Sequence, residues 1–349
     1  MKNKWIYLIV VVVVVAALAV VLALYWNSDS TIVVAKVGDV KITTAEYQIF
    51  LHDVEKQIES YANVGTDPTA LKNFWAGKLG EESAVTVAKN AALENAKTFK
   101  LKLIKAYELK LVIDAASLTK LNTDLDTQIS SYGTGATAEA AIKKDFGASS
   151  KDYRAFVKDF YLTSQVLKAE EVAKITNTDA EIKKYYTDNL SKLEEVTVRH
   201  ILFSINDAKT GAALTAAQQA EVKKTAISVE NKIKAGEDMA ALAKKYSADT
   251  GSKDNGGLLA PFLRGQMVKP FEDWAFEAKV NDIGLVTSDY GFHVMRLEGK
   301  KSTFAALKDS AKTALINKKY DDIVTAWSKE KAYASSTNQK VFDSIKVNE

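Results

Sequence analysis

The chain of 349 residues has no cysteine, so neither a disulfide nor an acyl-cysteine lipid anchor can hold it. That absence fixes no redox compartment by itself, but it suits an exported protein that avoids stray oxidation. Histidine is nearly as scarce, at three positions: His52, His200 and His293. No His, Cys or Asp cluster has metal-ligand spacing, so no metal is implied. There is no phosphate-cradling glycine loop, and no cofactor is expected. The 47 basic and 44 acidic residues form no clustered basic stripe, which argues against a nucleic-acid partner.

What the chain does have begins with an apolar run. Ile6 to Tyr25 carry no charge and include a Val run at Val10 to Val15. About 20 helical residues span roughly 30 Å, the thickness of a bilayer's hydrocarbon layer. Lys2 and Lys4 precede the run, and Trp5, Tyr25 and Trp26 mark its ends. The positive-inside rule therefore predicts a signal-anchor over residues 5–26, with 1–4 in the cytoplasm and the rest exported. A cleaved signal peptide is the competing reading, since small residues stand at Ala17 and Ala19. It would require cleavage inside the apolar run and an unusually long hydrophobic region.

The remaining length allows two or three domains. IVVAKVGDVKITTAEYQIFL predicts a hairpin turning at Gly38-Asp39, then a helix capped by Thr43 or Thr44. Gly65 to Gly80 is expected to be loop around Asp67-Pro68. From Glu81 to Tyr132 neither Gly nor Pro occurs, so helices are favoured, with Leu118, Leu121, Leu125 and Ile129 as one buried stripe. Tyr153, Phe156, Val157 and Phe160 share a face of a further helix. Thr178 with Glu181, and Thr215 with Gln218, have capping-box spacing. Between them the period changes to two: Val196, Val198, His200 and Leu202 alternate with Thr197, Arg199, Ile201 and Phe203, as in a strand. A second helix, capped by Asp238, a polar loop, a short helix opening at Pro270 and a strand Gly291 to Leu297 follow. The helical period returns from Ser302 to about Ala334, and this segment is expected to pack back onto the helices before residue 193.

The stretch KYSADTGSKDNGGLLAPFLRGQMVKPFEDWAFEAKVNDIGLVTSDYGFHVMRL, residues 245–297, resembles the parvulin-type peptidyl-prolyl isomerases, with VTVRHILFSI completing the match. RGQMVKPFEDWAF is its most specific part. The opening VGDVKITTAEY resembles that of PrsA- and SurA-type exported chaperones. With the N-terminal transmembrane helix read from the apolar run, the resemblance implies an α+β chain with a mostly helical chaperone domain (27–192, completed by 302–349). Inserted into it is a parvulin-like domain (193–301), a small antiparallel sheet flanked by helices. It also implies roles. Leu259, Phe262, Met267 and Phe271 match the proline-pocket positions. His200, His293, Asp249 and Ser288 match the catalytic set, in which the two histidines sit adjacent beneath the pocket.

Those residue types suit the chemistry. Rotation about an X-Pro bond faces a barrier of about 18–20 kcal/mol set by amide resonance, and no bond need break. A catalyst must grip the ring in an apolar pocket, remove water and favour the twisted amide. Leu and Met give adaptable walls and Phe gives flat ones. Asp249 is expected to bias the local field, not to attack as a nucleophile. Taken singly, a strand histidine is usually a satisfied core residue, and His52 is read as helix-packing or surface. The chain departs from the family at Gly256-Gly257-Leu258-Leu259-Ala260, where an acidic residue and a glycine are usual after the Gly pair. It departs again at Asn281-Asp282-Ile283-Gly284, where Gly-Glu-Ile/Val-Ser is usual.

The expected function is a membrane-anchored, extracytoplasmic isomerase and chaperone acting on unfolded exported polypeptides with X-Pro bonds. The alternative is an ATP-independent holdase whose isomerase-like insert is weak or inactive. A surface protein that only projects a helical domain is a third reading, which predicts no affinity for unfolded chains. A homodimer forming a cradle from two chains is compatible with the sequence.

Overall fold

Strand β1 (Val33–Val37) pairs antiparallel with β2 (Val40–Thr43) around the Gly38-Asp39 turn. Thr43 then caps α1 (Thr44–Tyr61): its hydroxyl accepts from the Glu46 amide while the Glu46 carboxylate accepts from the Thr43 amide. The Gly65 to Gly80 stretch is not all loop, because it contains α2 (Pro68–Trp75). Asp67 accepts from the Ala70 amide and Pro68 has the φ that a first turn needs, so two loop-like residues start a helix. A two-residue hairpin, β3 (Lys78–Leu79) with β4 (Glu82–Ser83), leads into the long α3 (Ala84–Glu108). Then come α4 (Ala115–Ser130), α5 (Gly135–Phe146) and α6 (Ser150–Tyr161), with a π-helical turn at Leu162–Leu167 leading to α7 (Lys168–Ala173). The Thr178 and Thr215 capping boxes open α8 (Asp179–Leu193) and, after β5 (Glu195–Ser204), α9 (Ala216–Lys234). The rest is α10 (Met239–Tyr246), α11 (Lys269–Glu277), β6 (Ile283–Ser288), β7 (Gly291–Lys301), α12 (Phe304–Ser328), β8 (Ser335–Thr337) and α13 (Gln339–Ser344).

This computed structural model describes residues 32–62, 64–207 and 210–347. The apolar run Ile6 to Tyr25 and the signal-anchor expected there lie outside the described residues. Among the described residues no helix is long and apolar enough to cross a membrane.

The chain divides into two compact units, Met1–Ile175 with Lys319–Glu349, and Thr176–Lys318. In the first, Val34, Ile42, Tyr47, Leu51, Trp75 and Leu101 share a core with Tyr320, Val324, Phe342 and Val347 from the far end of the chain. Strand β8 joins the same assembly as the third strand, in the order β2-β1-β8. Each large side chain so buried contributes about 1.5–3 kcal/mol, which holds together segments distant in sequence. The stripe expected on α4 is only half-buried apart from Leu125. On α6, Phe156 packs against Phe50 and Phe99, but Phe160 is 50% exposed.

The second unit is built on a three-stranded antiparallel sheet in the order β5-β7-β6. Both faces are covered. Ile201, Phe203, Phe292 and Val294 pack with Ala226, Val229, Ile233 and Leu242 on one side. Val196, Val198, Met295 and Leu297 pack with Phe262, Phe271 and Phe276 on the other. That is why Ile201 and Phe203 are buried along with His200, and the two-residue alternation does not sort inside from outside on β5. Strand β6 is additional to the strands read from sequence. In α8 and α12, Ile182, Leu193, Leu307, Ala311 and Leu315 form a further cluster.

Candidate active site

The sheet register brings the two histidines together. His200 on β5 lies opposite Met295, and His293 on the central β7 lies opposite Leu202. The two are therefore diagonal neighbours, two residues out of register on one face, a distance that ring side chains span. Their Nδ1 atoms are 3.4 Å apart, and the rings are almost parallel, at 18° with centroids 5.6 Å apart. Ser288 ends β6 on the same side, with its Oγ 2.7 Å from His293 Nε2. Both histidines are buried, at 6% and 5% exposure.

Asp249 comes from the loop after α10, and that loop is stitched to β5. The Ser247 hydroxyl accepts from the Leu202 and Asp249 amides, and the Ala248 amide donates to the Leu202 carbonyl at 2.8 Å. The carboxylate then lies 2.8 Å from His200 Nε2. Its second oxygen accepts from the Gly251 amide at 3.0 Å, and the buried Ser252 hydroxyl donates to the first.

The far end of the loop approaches β5 still more closely. The His200 amide donates to Gly257 O at 2.8 Å, and a Cβ on Gly257 would fall 2.1 Å from the His200 carbonyl oxygen. Gly257 also has φ +78°, a left-handed conformation that costs other residues about 1–2 kcal/mol. Only glycine fits there. Arg199 holds the neighbouring Gly256 carbonyl at 2.7 Å while pairing with Glu298 at 2.8 Å. From this anchor the chain runs beside β5, with Leu259 N donating to Val198 O at 3.0 Å and Phe262 exchanging backbone bonds with Val196. The altered Gly257 to Ala260 segment thus delivers Leu259 and Phe262 to the apolar cluster that receives Met267 and Phe271.

Phe271, on the first turn of α11, links that cluster to the histidines. Its ring stands edge-to-face on both imidazoles, with centroids 5.4 Å from His200 and 5.3 Å from His293. Phe262 and Phe271 are buried, and Leu259 and Met267 are half-buried around them. All eight residues singled out in the sequence fall into two adjoining groups, one polar and one apolar. His52 lies apart in the other unit, buried on α1 with its Cβ 3.1 Å from where a Cβ on Gly147 would stand.

The electrostatics follow from burial. Removal from water pushes His200 below its ordinary value, against the pull of the Asp249 carboxylate. Burial, then the neighbouring His200, drives His293 down to about 4. Burial would raise Asp249, but donors from Ser252, His200 and Gly251 outweigh it and hold the carboxyl below the usual range. Both rings are neutral at pH 7 and the carboxylate is charged. An ionised carboxylate only accepts, so His200 Nε2 carries the hydrogen and His200 Nδ1 is bare. His293 Nδ1–H then points to it, and His293 Nε2 accepts from Ser288. The result is one directed chain, Ser288 to His293 to His200 to Asp249.

Ser247, Ser252 and Gly257 were not anticipated. Their signal lay in the polar loop Ser247 to Gly257, where serine, aspartate and glycine are ordinary, so nothing local separated them from connector residues. Among the described residues no group of His, Cys, Asp and Glu is arranged to hold a metal.

The family profile of the PPIC-type PPIase domain matches residues 181–301. Foldase protein PrsA of Caldanaerobacter subterraneus is 30% identical over 325 residues, covering 90% of this chain and 89% of that one. Foldase protein PrsA of Clostridium kluyveri is 30% identical over 75% of this chain and 77% of its own. The crystal structure of foldase protein PrsA from Streptococcus pneumoniae, 20% identical, covers 74% of this chain and 90% of that one with a TM-score of 0.40. Identity of 30% to the Caldanaerobacter foldase over 90% of this chain, together with the PPIC-type PPIase domain, shows that the chain belongs to the PrsA foldase family.

Proposed function

We propose that isomerisation takes place where the two residue groups adjoin. The proline ring enters among Leu259, Phe262, Met267 and Phe271, and the amide before it lies against the polar set of His200, Asp249, Ser288 and His293. Transfer from water into an apolar, low-dielectric setting disfavours the charge-separated resonance form that stiffens the amide. The fixed dipoles of the histidine chain and the charge of Asp249 then act on the twisted carbonyl without having to reorganise. No proton need leave the site, because neutral imidazoles and an ionised carboxylate are its stable state at pH 7. The observation that carries this reading is the placement of Phe271 across both imidazoles, with Asp249 bonded to one of them.

The enzyme acts on unfolded exported polypeptides from a position outside the cytoplasmic membrane, anchored by Ile6 to Tyr25, with Lys2 and Lys4 inside. The uninterrupted apolar run and the basic residues before it support that orientation. The first unit, formed from both ends of the chain, serves as the chaperone part around an isomerase insert. A homodimer would place two such parts around one client.

Proline-limited refolding of a client, with the full chain as catalyst, is the test. His200→Ala and Asp249→Ala are each expected to slow catalysis about 10- to 100-fold, the value of a hydrogen bond to a charged group. Suppression of aggregation should persist in both. Unaltered catalysis in both variants would remove the site from this place. Aggregation suppression with no isomerisation by the parent chain would favour the holdase reading. Protease accessibility on intact cells reads the orientation, and a soluble, cleaved product would refute the anchor.

A further inference from the structure

We infer that Ser252 is a positioning residue of this site: its hydroxyl holds the Asp249 carboxylate in place and thereby sets the direction of the hydrogen-bond chain through His200, His293 and Ser288. The inference deepens the reading above and rests on it. Ser252 is 2% exposed and fixed by its own backbone, whose carbonyl accepts from Asn255 at 3.0 Å and from Gly257 at 2.8 Å. Its Oγ lies within bonding distance of Asp249 Oδ2 and 3.2 Å from His200 Nε2. The three atoms form a triangle, and one hydroxyl proton must be allocated within it.

The allocation has one solution while Asp249 is ionised. The carboxylate cannot donate, so the Ser252 proton goes to it. The oxygen's lone pairs then face His200 Nε2, which must carry hydrogen to satisfy two acceptors. Every later link takes its polarity from this point. His200 Nδ1 accepts, His293 Nδ1 donates, and Ser288 donates to His293 Nε2 while its oxygen accepts from the Tyr290 amide at 3.2 Å. If Asp249 were protonated, it would become the donor to His200 Nε2 and the whole chain could reverse.

What keeps Asp249 ionised is therefore decisive. The titratable groups facing it are His200 and, one ring further, His293, and burial holds both neutral. Among the described residues no Lys or Arg pairs with the carboxylate. Its support is three neutral donors, from Ser252, His200 and the Gly251 amide, and the Ser252 hydroxyl lowers the carboxyl most. Deleting that hydroxyl should let Asp249 take a proton at higher pH.

The test uses the full chain and two readouts: proline-limited refolding rate against pH from 3 to 7, and the imidazole tautomers by nitrogen-15 NMR over the same range. In the parent chain His200 should be protonated on Nε2 and His293 on Nδ1. Ser252→Ala should move the acid limb of the rate profile up by about one pH unit, lower the rate several-fold near its foot, and mix the tautomers. Ser252→Thr, which retains a hydroxyl, should restore both. A Ser252→Ala chain with the parent profile and tautomers, alongside a slow Asp249→Asn, overturns the inference and leaves the site standing. Full activity in Asp249→Asn would instead sink the site reading. Should the substitutions unfold the unit, the parent spectrum still decides: His200 protonated on Nδ1 would refute the inference unaided.

Discussion

In the unit built from both chain ends, Lys100 is 1% exposed and its ammonium pairs with Glu46, the same residue that closes the capping box on Thr43. Asp159 shares that charged neighbourhood and is bonded by the Tyr107 hydroxyl at 3.3 Å. Among the described residues of the sheet-based unit the buried titratable groups are two imidazoles that burial keeps neutral, with a charged partner, Asp249, partly open to solvent. One unit buries charge and compensates it; the other buries neutral rings and leaves the charge at the edge. Desolvation makes the first arrangement expensive to disturb, because removing one ion strands another. The second loses hydrogen bonds when broken, and of those that its imidazoles make, only the one from His200 to Asp249 meets a charge.

The largest consequence is at Lys100. Lys100→Met leaves Glu46 without its cation and Asp159 without a favourable charge, and should destabilise the first unit by about 3–5 kcal/mol. His293→Phe, a ring for a ring, takes the acceptor from the Ser288 hydroxyl proton and the donor from His200 Nδ1, and should cost about 1–3 kcal/mol. Hydrogen exchange resolved by segment separates the units. Equal losses, or a larger loss in the His293 variant, would break the comparison.

The same contrast fixes opposite responses to acid. Burial raises Asp159 to about 6 from its ordinary 3.8, against the opposing pull of Lys100 and the Tyr107 bond, with Glu46 pushing it further up. Between those values the folded first unit binds more protons than the unfolded chain, so this contribution falls as pH rises. His293 is held near 4 against an ordinary 6.5. Between those values the unfolded chain binds more protons, so the second unit loses stability as pH falls. Each contribution is about 3 kcal/mol over its window. Denaturant titrations from pH 4 to 7, followed by segment-resolved exchange, should show Asp159→Asn flattening the first slope and His293→Phe the second. Parallel slopes in the two units would contradict both assignments.

How much of this could be read beforehand depends on the range of the interaction involved. Thr43 with Glu46, Thr178 with Glu181 and Thr215 with Gln218 were legible because a capping box is complete within four residues. Strand β8 was not, since three residues Ser335–Thr337 become a strand only by pairing with β1 at the other end of the chain. Strand β6 is short and contains Gly284, whose backbone lies against the Trp274 indole, so its pattern resembled a turn. The histidines, Asp249 and Ser288 stood out because an ordered motif surrounds them. Ser252 and Gly257 did not, because what distinguishes them is the approach of a loop to β5, and composition does not record distance.

The smallest predicted effects lie where each unit places a non-glycine residue in the left-handed region. Lys110, at φ +56°, follows α3: its amide donates to Tyr107 O and the Leu111 amide reaches back to Ala106 O, both at 2.9 Å. That is a Schellman ending with lysine where glycine is usual. Asn281, at φ +75°, precedes β6 where the parvulin pattern carries glycine, and its amide donates to Leu297 O at 2.8 Å. The left-handed conformation costs an ordinary side chain about 1–2 kcal/mol, part of which glycine forfeits through its freer unfolded state. Asparagine tolerates the region better, because its short polar side chain bonds locally. Lys110→Gly should therefore stabilise the first unit by about 1 kcal/mol, and Asn281→Gly the second by a few tenths at most. Denaturant midpoints measure both. A larger gain at Asn281 would mean that the second unit stores strain at its β6 turn, which the satisfied backbone bonds there argue against.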